Sequence, residues 1–264
     1  RLEPQEDYFA RWFPWYFTAR MVETHVPPGR NVFSIDQIPE AYTTRNIVVL
    51  YQGAANHVMG DILWTPVIPD YHPTLRYRFT FPRQPLRAVR VVQTADGLPH
   101  HWSVSELRVW REGQELARES LWRLRANPFP WDVQLAFDNS PVTRWRSWQN
   151  ASAGMWVEVD FGMPSELDEV TLDSTRDQPL IQLRLEGQTP AGQWIELAAE
   201  PVQETQSPPA ALRRYAIREL KARSIDYLLI HDSNIGADDF RTRANLWGIK
   251  EIARQGDATL YRLE

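Results

Sequence analysis

The chain has 264 residues, 43% of them hydrophobic, with 12 tryptophans, a net charge of −5 and no cysteine. That length supports a large core in one or two domains, and the apolar and aromatic content marks a globular protein. The absence of cysteine excludes disulfides and thiol chemistry, and the acidic balance excludes a general nucleic-acid binder, which needs a basic face.

Tyr8 to Phe17 (YFARWFPWYF) carries seven aromatics in ten residues. It reads as a segment packed on a sheet, or as an aromatic belt at a membrane surface, where Trp and Tyr favour the interface. Pro14 should kink any helix there. A helix is predicted over Thr18 to Val26, ended by Pro27-Pro28-Gly29. Short strands are predicted at Asn31 to Ile35 and Asn46 to Gln52. Thr74 to Phe81 alternates apolar and polar residues, as does Arg87 to Gln93, with Val89 and Val91 set against Arg90. Arg111 to Asn127 is charged and turn-bearing, with Pro128 and Pro130 beyond it, which places a domain boundary there.

Ala136 to Gly162 (AFDNSPVTRWRSWQNASAGMWVEVDFG) joins a polar turn to a half-buried strand. Asp138, Thr143 and Trp145 stand at the spacing D-x4-T-x-W, and Met155, Val157, Val159 and Phe161 fall on one face, directed to a core. Leu183 to Leu197 supplies two strands around a turn at Thr189 to Gly192. Ala210 to Ala222 has helical spacing, with Leu212, Tyr215, Ala216 and Leu220 on one face and Arg213, Arg214, Arg218 and Lys221 solvated. Strands follow at Ile225 to His231 and Trp247 to Ile252, separated by a long loop, and Leu260 to Leu263 reads as a terminal strand. One pattern, W-x-[V/I]-x-E-[L/I], occurs twice, as Trp102, Val104 and Glu106 and again as Trp247, Ile249 and Glu251.

From Trp131 to Arg254 these pieces, in this order, resemble the discoidin domain, also called the coagulation-factor type C domain. That family is an eight-stranded jelly-roll sandwich that often binds sugars or membrane lipids. The usual turn glycine is replaced here by Asn139-Ser140-Pro141, and the strand ends in Asp160-Phe161-Gly162. The doubled closing pattern implies a diverged first copy upstream. The fold expected is mainly β, with two tandem discoidin-like β-sandwiches and a short N-terminal helical segment, divided as residues 1–122 and 123–264. The pieces Tyr16 to Arg20, Pro27 to Phe33 and Ala41-Tyr42 are similar to the soluble tail of bacterial multi-spanning glycosyltransferases.

The resemblance implies a structural Ca2+ held by Asp138, Thr143 and Glu251, oxygen donors suited to a hard cation. The competing reading has Asp138 capping its turn. It also implies a sugar surface in the loops at one end of the sandwich, with Arg146, Trp148, Gln149, Arg176 and Arg241 as carbohydrate-binding residues and Trp145 in the core. His100-His101 reads as a surface pair rather than a zinc site. Asp36 and Asp232 each end an apolar strand, and as a carboxylate pair would suit glycoside hydrolysis. They are expected instead to cap turns in two different domains. No nucleophile elbow, phosphate loop or zinc motif is present.

The function expected is a non-catalytic, extracytoplasmic carbohydrate-binding region, periplasmic or at the cell surface. Its partner is a carbohydrate or glycolipid, and its parent chain is a membrane glycosyltransferase. A hydrolase fragment with a discoidin module, or a protein-interaction module that binds no sugar, are the alternatives.

Overall fold

A computed structural model describes Tyr8, Phe13 and residues 15–38 and 40–264. Half of the segment predicted at Tyr8 to Phe17, including Pro14, lies outside the described residues. The chain divides into two units. One is residues 69–210, and the other is made from both ends, residues 1–68 and 211–264. The division expected near residue 122 is therefore corrected: the β-sandwich interrupts an α/β unit rather than following a first sandwich.

In the α/β unit, helix α1 (Trp15–His25) precedes strands β1 (Asn31–Ser34) and β2 (Asn46–Val49) and helix α2 (Ala54–Trp64). After the sandwich come α3 (Leu212–Ala222), β13 (Tyr227–His231), α4 (Ala237–Thr242), α5 (Ala244–Trp247), β14 (Ile249–Gln255) and β15 (Ala258–Leu263). The sheet order is β14-β15-β13-β1-β2, parallel across β13, β1 and β2 and antiparallel beyond. Ala19 and Val22 of α1 and Val26 just beyond it share one core with Val32, Val49, Leu229 and Leu260. The alternate residues Phe33, Leu228 and Ile230 are buried as well, so the parallel strands are covered on both faces. Trp247, expected to open a strand, instead ends α5. Gly248 then turns the chain with a left-handed φ of 77° into β14.

The sandwich is built on two long strands, β3 (Leu75–Gln93) and β9 (Trp156–Ser174), paired antiparallel along their length. The ladder breaks between Thr80 and Gln84 and again between Leu86 and Ala88, beside Pro82 and Pro85, which cannot donate to it. Opposite the breaks, Gly162 takes φ 75°, and a Cβ there would sit 3.3 Å from the Leu121 carbonyl oxygen. The ladder thus bends, and each half founds one layer. Residues 75–80 of β3 pair with β12 (Val202–Thr205) and the end of β9, which pairs with β5 (Glu106–Arg111), itself joined to β6 (Gln114–Glu115). The later part of β3 pairs with β10 (Leu183–Gln188) and the start of β9, which are flanked by β11 (Trp194–Ala198) and β7 (Arg123–Asn127). Phe79, Leu107 and Leu172 of the first layer and Val91, Val157 and Leu185 of the second fall in a single core.

Two expectations change at this point. Arg111 to Asn127 is no linker but holds the β5–β6 hairpin and β7. Its charges pair across the sheet, Arg118 with Glu106 and Arg125 with Glu158. And the sandwich closes with the upstream pair: the segment 87–93 lies in β3, while Trp102, on β4 (His101–Val104), packs edge-on against Trp145 of β8 (Trp145–Asn150), ring centroids 5.3 Å apart. There is one sandwich among the described residues, and its closing strands precede its opening loop in the chain. The downstream pair, 225–231 and 247–252, belongs to the α/β sheet.

Candidate functional site

The turn that opens the sandwich is held as a cap. Asp138 accepts hydrogen bonds from the Ser140 N–H at 3.0 Å and from the Thr143 hydroxyl at 2.9 Å. The carboxylate that joins it is Glu106, whose Oε2 accepts the Asn139 N–H at 2.7 Å while Oε1 pairs with Arg118. Glu251 is not that partner. It stands exposed on β14 of the α/β unit. Burial pushes the Glu106 carboxyl up to about 7, against the pull of Arg118 and Arg108. The Asp138 and Glu106 carboxylates thus face N–H and O–H donors and a guanidinium, a set that fits a braced turn. Among the described residues no three His, Cys, Asp or Glu gather to hold a metal.

Beyond this turn β8 alternates, with Trp145 and Ser147 buried and Arg146 and Trp148 half exposed. Trp145 is in the core as expected, its indole N–H donating to the Phe129 carbonyl at 2.8 Å. Trp148 takes a φ of 54°, a left-handed conformation uncommon for a bulky residue. The Arg146 guanidinium lies 5.6 Å from the Trp148 ring centre and 5.9 Å from that of Tyr71. The Arg144 guanidinium lies 4.3 Å from Tyr71. The His101 ring meets Trp148 at 6.2 Å. Arg144 is buried and fixed by Asp177 at 2.9 Å and Thr175 at 3.1 Å. Burial raises the Asp132 carboxyl, with a hydrogen bond from Trp148 opposing it. The product is a cluster of guanidinium and aromatic faces centred on Arg146 and Trp148 of β8, with Tyr71 and His101 brought to it from other segments.

Of the residues expected to bind sugar, Arg146, Trp148 and Gln149 share β8. Arg176 stands near the cluster, its N–H bound to the Asp70 carbonyl at 2.9 Å, next to Tyr71. Arg241 does not join them: it sits on α4 of the α/β unit and pairs with Asp238 and Asp232. Tyr71 and His101 were missed, because each comes from a segment remote in sequence whose only local signal is a lone aromatic ring. Asp36 and Asp232, expected in different domains, lie in the same unit, just beyond β1 and β13. Asp232 is held by Arg254 at 2.5 Å and Arg241 at 3.4 Å, and Asp36 accepts from the Asn234 amide at 2.7 Å.

Residues 125–237 match the family model of the F5/8 type C domain. The match begins in β7 and runs beyond the sandwich into the α/β unit, whereas β3 to β6 of the same sandwich lie ahead of it. No curated protein and no solved structure matches the chain.

Proposed function

We propose that the discoidin-type sandwich is a carbohydrate-binding module whose surface is the β8 cluster of Arg146, Trp148 and Gln149 with Tyr71, His101 and Arg176. Domains of this type commonly bind carbohydrate or protein. The observation that favours sugar is the cluster itself. Aromatic faces suit the apolar C–H patches of a pyranose, and guanidinium and amide groups suit its paired hydroxyls. The Arg144–Asp177 pair and the Trp145–Trp102 contact hold the strand from beneath, so little ordering is left for the ligand to impose.

The wider reading is a non-catalytic, extracytoplasmic region carried by a membrane glycosyltransferase that uses lipid-linked sugar, with a carbohydrate or glycolipid as its partner. No described helix is long and apolar enough to cross a membrane, so in this reading the anchor belongs to another part of the parent chain.

A shallow site that must desolvate hydrated hydroxyls binds weakly, on the order of 0.1 to 1 mM for a simple glycan. A glycan array followed by titration of Trp148→Ala and Arg146→Ala tests the assignment. Loss of at least about tenfold in both variants is expected, since each removes contacts of the order of 1.4 kcal/mol. Binding unchanged in both, or glycan turnover by the chain, would overturn it.

A further inference from the structure

Within the α/β unit a cavity of about 640 Å³ opens at the carboxyl ends of β1 and β13. These neighbouring parallel strands send their outgoing connections to opposite sides, β1 toward β2 and β13 toward β14 and β15. A crevice forms where such connections part, and in open α/β sheets it is where ligands bind. Its floor is polar. Asp36 follows β1, His231 ends β13, Ser233 follows, and Asp257 comes from the β14–β15 turn. Asn234 ties two of these loops together, donating to Asp36 at 2.7 Å and accepting the His231 N–H at 2.8 Å.

His231 is only 5% exposed. Its Nδ1 faces the Asp257 carboxylate at 3.4 Å, and its buried Nε2 has no hydrogen-bond partner. A buried ring nitrogen left unpaired is costly to the fold. Two rings flank the opening, Trp15 at 57% and Tyr51 at 53% exposure. Among the described residues no lysine or arginine lines the cavity, and its two carboxylates disfavour phosphate and uronate.

We propose that this crevice is a second saccharide site, separate from the sandwich, that takes a pyranose ring bearing no negative charge. Trp15 and Tyr51 stack on the ring's C–H face, and Asp36 and Asp257 accept from its hydroxyls. The site does not depend on the β8 cluster, and the two are told apart by their own variants.

The test is backbone-amide NMR of the whole chain, titrated with methyl glucoside, methyl mannoside, glucosamine, glucuronate and glucose 6-phosphate to about 20 mM, a range that reveals millimolar binding. A neutral or amino sugar is expected to shift the amides of Asp36, Gln37 and Ser233, with these shifts intact in Trp148→Ala. Tyr51→Ala, an exposed change that leaves the fold in place, should weaken them at least about tenfold, and Tyr51→Phe should restore them. The proposal is overturned if none of the probes moves those amides, if the anionic probes bind there better than the neutral ones, or if Tyr51→Ala leaves the binding unchanged.

Discussion

Replacing Glu106 by Ala, compared with the same change at Glu251, tests which carboxylate closes the sandwich. Glu106 is 4% exposed, accepts the Asn139 N–H and pairs with Arg118. Its removal takes the acceptor from the part-buried Asn139 N–H, about 1 kcal/mol, and frees Arg118. Arg108 contributes little to the loss, because it keeps Asp173 at 2.8 Å. The loss also depends on pH. The folded carboxyl titrates at about 7 against an ordinary 4.5, so the folded state binds the proton more tightly than the unfolded one. This contribution is fully present below pH 4.5 and is lost as pH rises to about 7, a change of ~3 kcal/mol. Glu106→Ala is therefore expected to cost less at pH 8 than at pH 4.5, whereas exposed Glu251→Ala stays within about 0.5 kcal/mol throughout. Urea melts at both pH values, followed by the methyl signals of Val157 and Leu185 in the sandwich core, supply the measurement. A neutral Glu106→Ala beside a costly Glu251→Ala would refute the assignment of the closing strands, and a loss that grows with pH would refute the account of Glu106.

The remaining expectations concern the two units and their braces. A fragment of residues 69–210 should melt cooperatively and one of residues 123–264 should not, since the latter lacks β3 and β5; scanning calorimetry of both would show the reverse if the sandwich were the downstream one. Asp138→Ala should destabilise by about 1–2 kcal/mol through its cap, while melts with Ca2+ and with chelator should coincide; a Ca2+-dependent rise that Asp138→Ala removes would establish the metal. Gly187→Ala would put a Cβ 2.7 Å from Leu197 and 3.0 Å from Leu86, so a cost of about 1–3 kcal/mol is expected in denaturant melts. In the α/β unit, Asp239 stays below its ordinary carboxylate range: burial opposes this, but Arg213, Trp247 and Arg243 hold the ionised form. The stability this gives is present above about pH 4 and is lost as pH falls through the depressed value; Asp239→Asn should flatten that part of an acid melt.

Local patterns were legible wherever a segment carries its own signal. The core face Met155, Val157, Val159 and Phe161, the buried Trp145 and the Asp138–Thr143 turn follow from period-two alternation and turn chemistry, and all are found in the structure. The helix at Leu212–Ala222 follows from its apolar stripe. Arg213 on that helix, expected in solvent, is instead clasped by Asp239 at 2.7 Å, a partner 26 residues away that no local pattern reveals.

Residue pattern determines that a strand forms and which face it buries, but not which ladder it joins. The same W-x-[V/I]-x-E-[L/I] pattern suits Trp102–Leu107 and Trp247–Ile252. Only tertiary packing decided between them, by seating Trp102 on Trp145 and Glu106 on the Asn139 N–H. The α/β unit was hidden for the same reason: β1 finds its parallel neighbour β13 nearly 200 residues later, Val32 beside Tyr227, and the whole sandwich intervenes. Hydrogen bonding between strands is blind to separation along the chain once the loop between them has folded on its own, so the crevice of Asp36, His231 and Asp257 exists only in the tertiary structure.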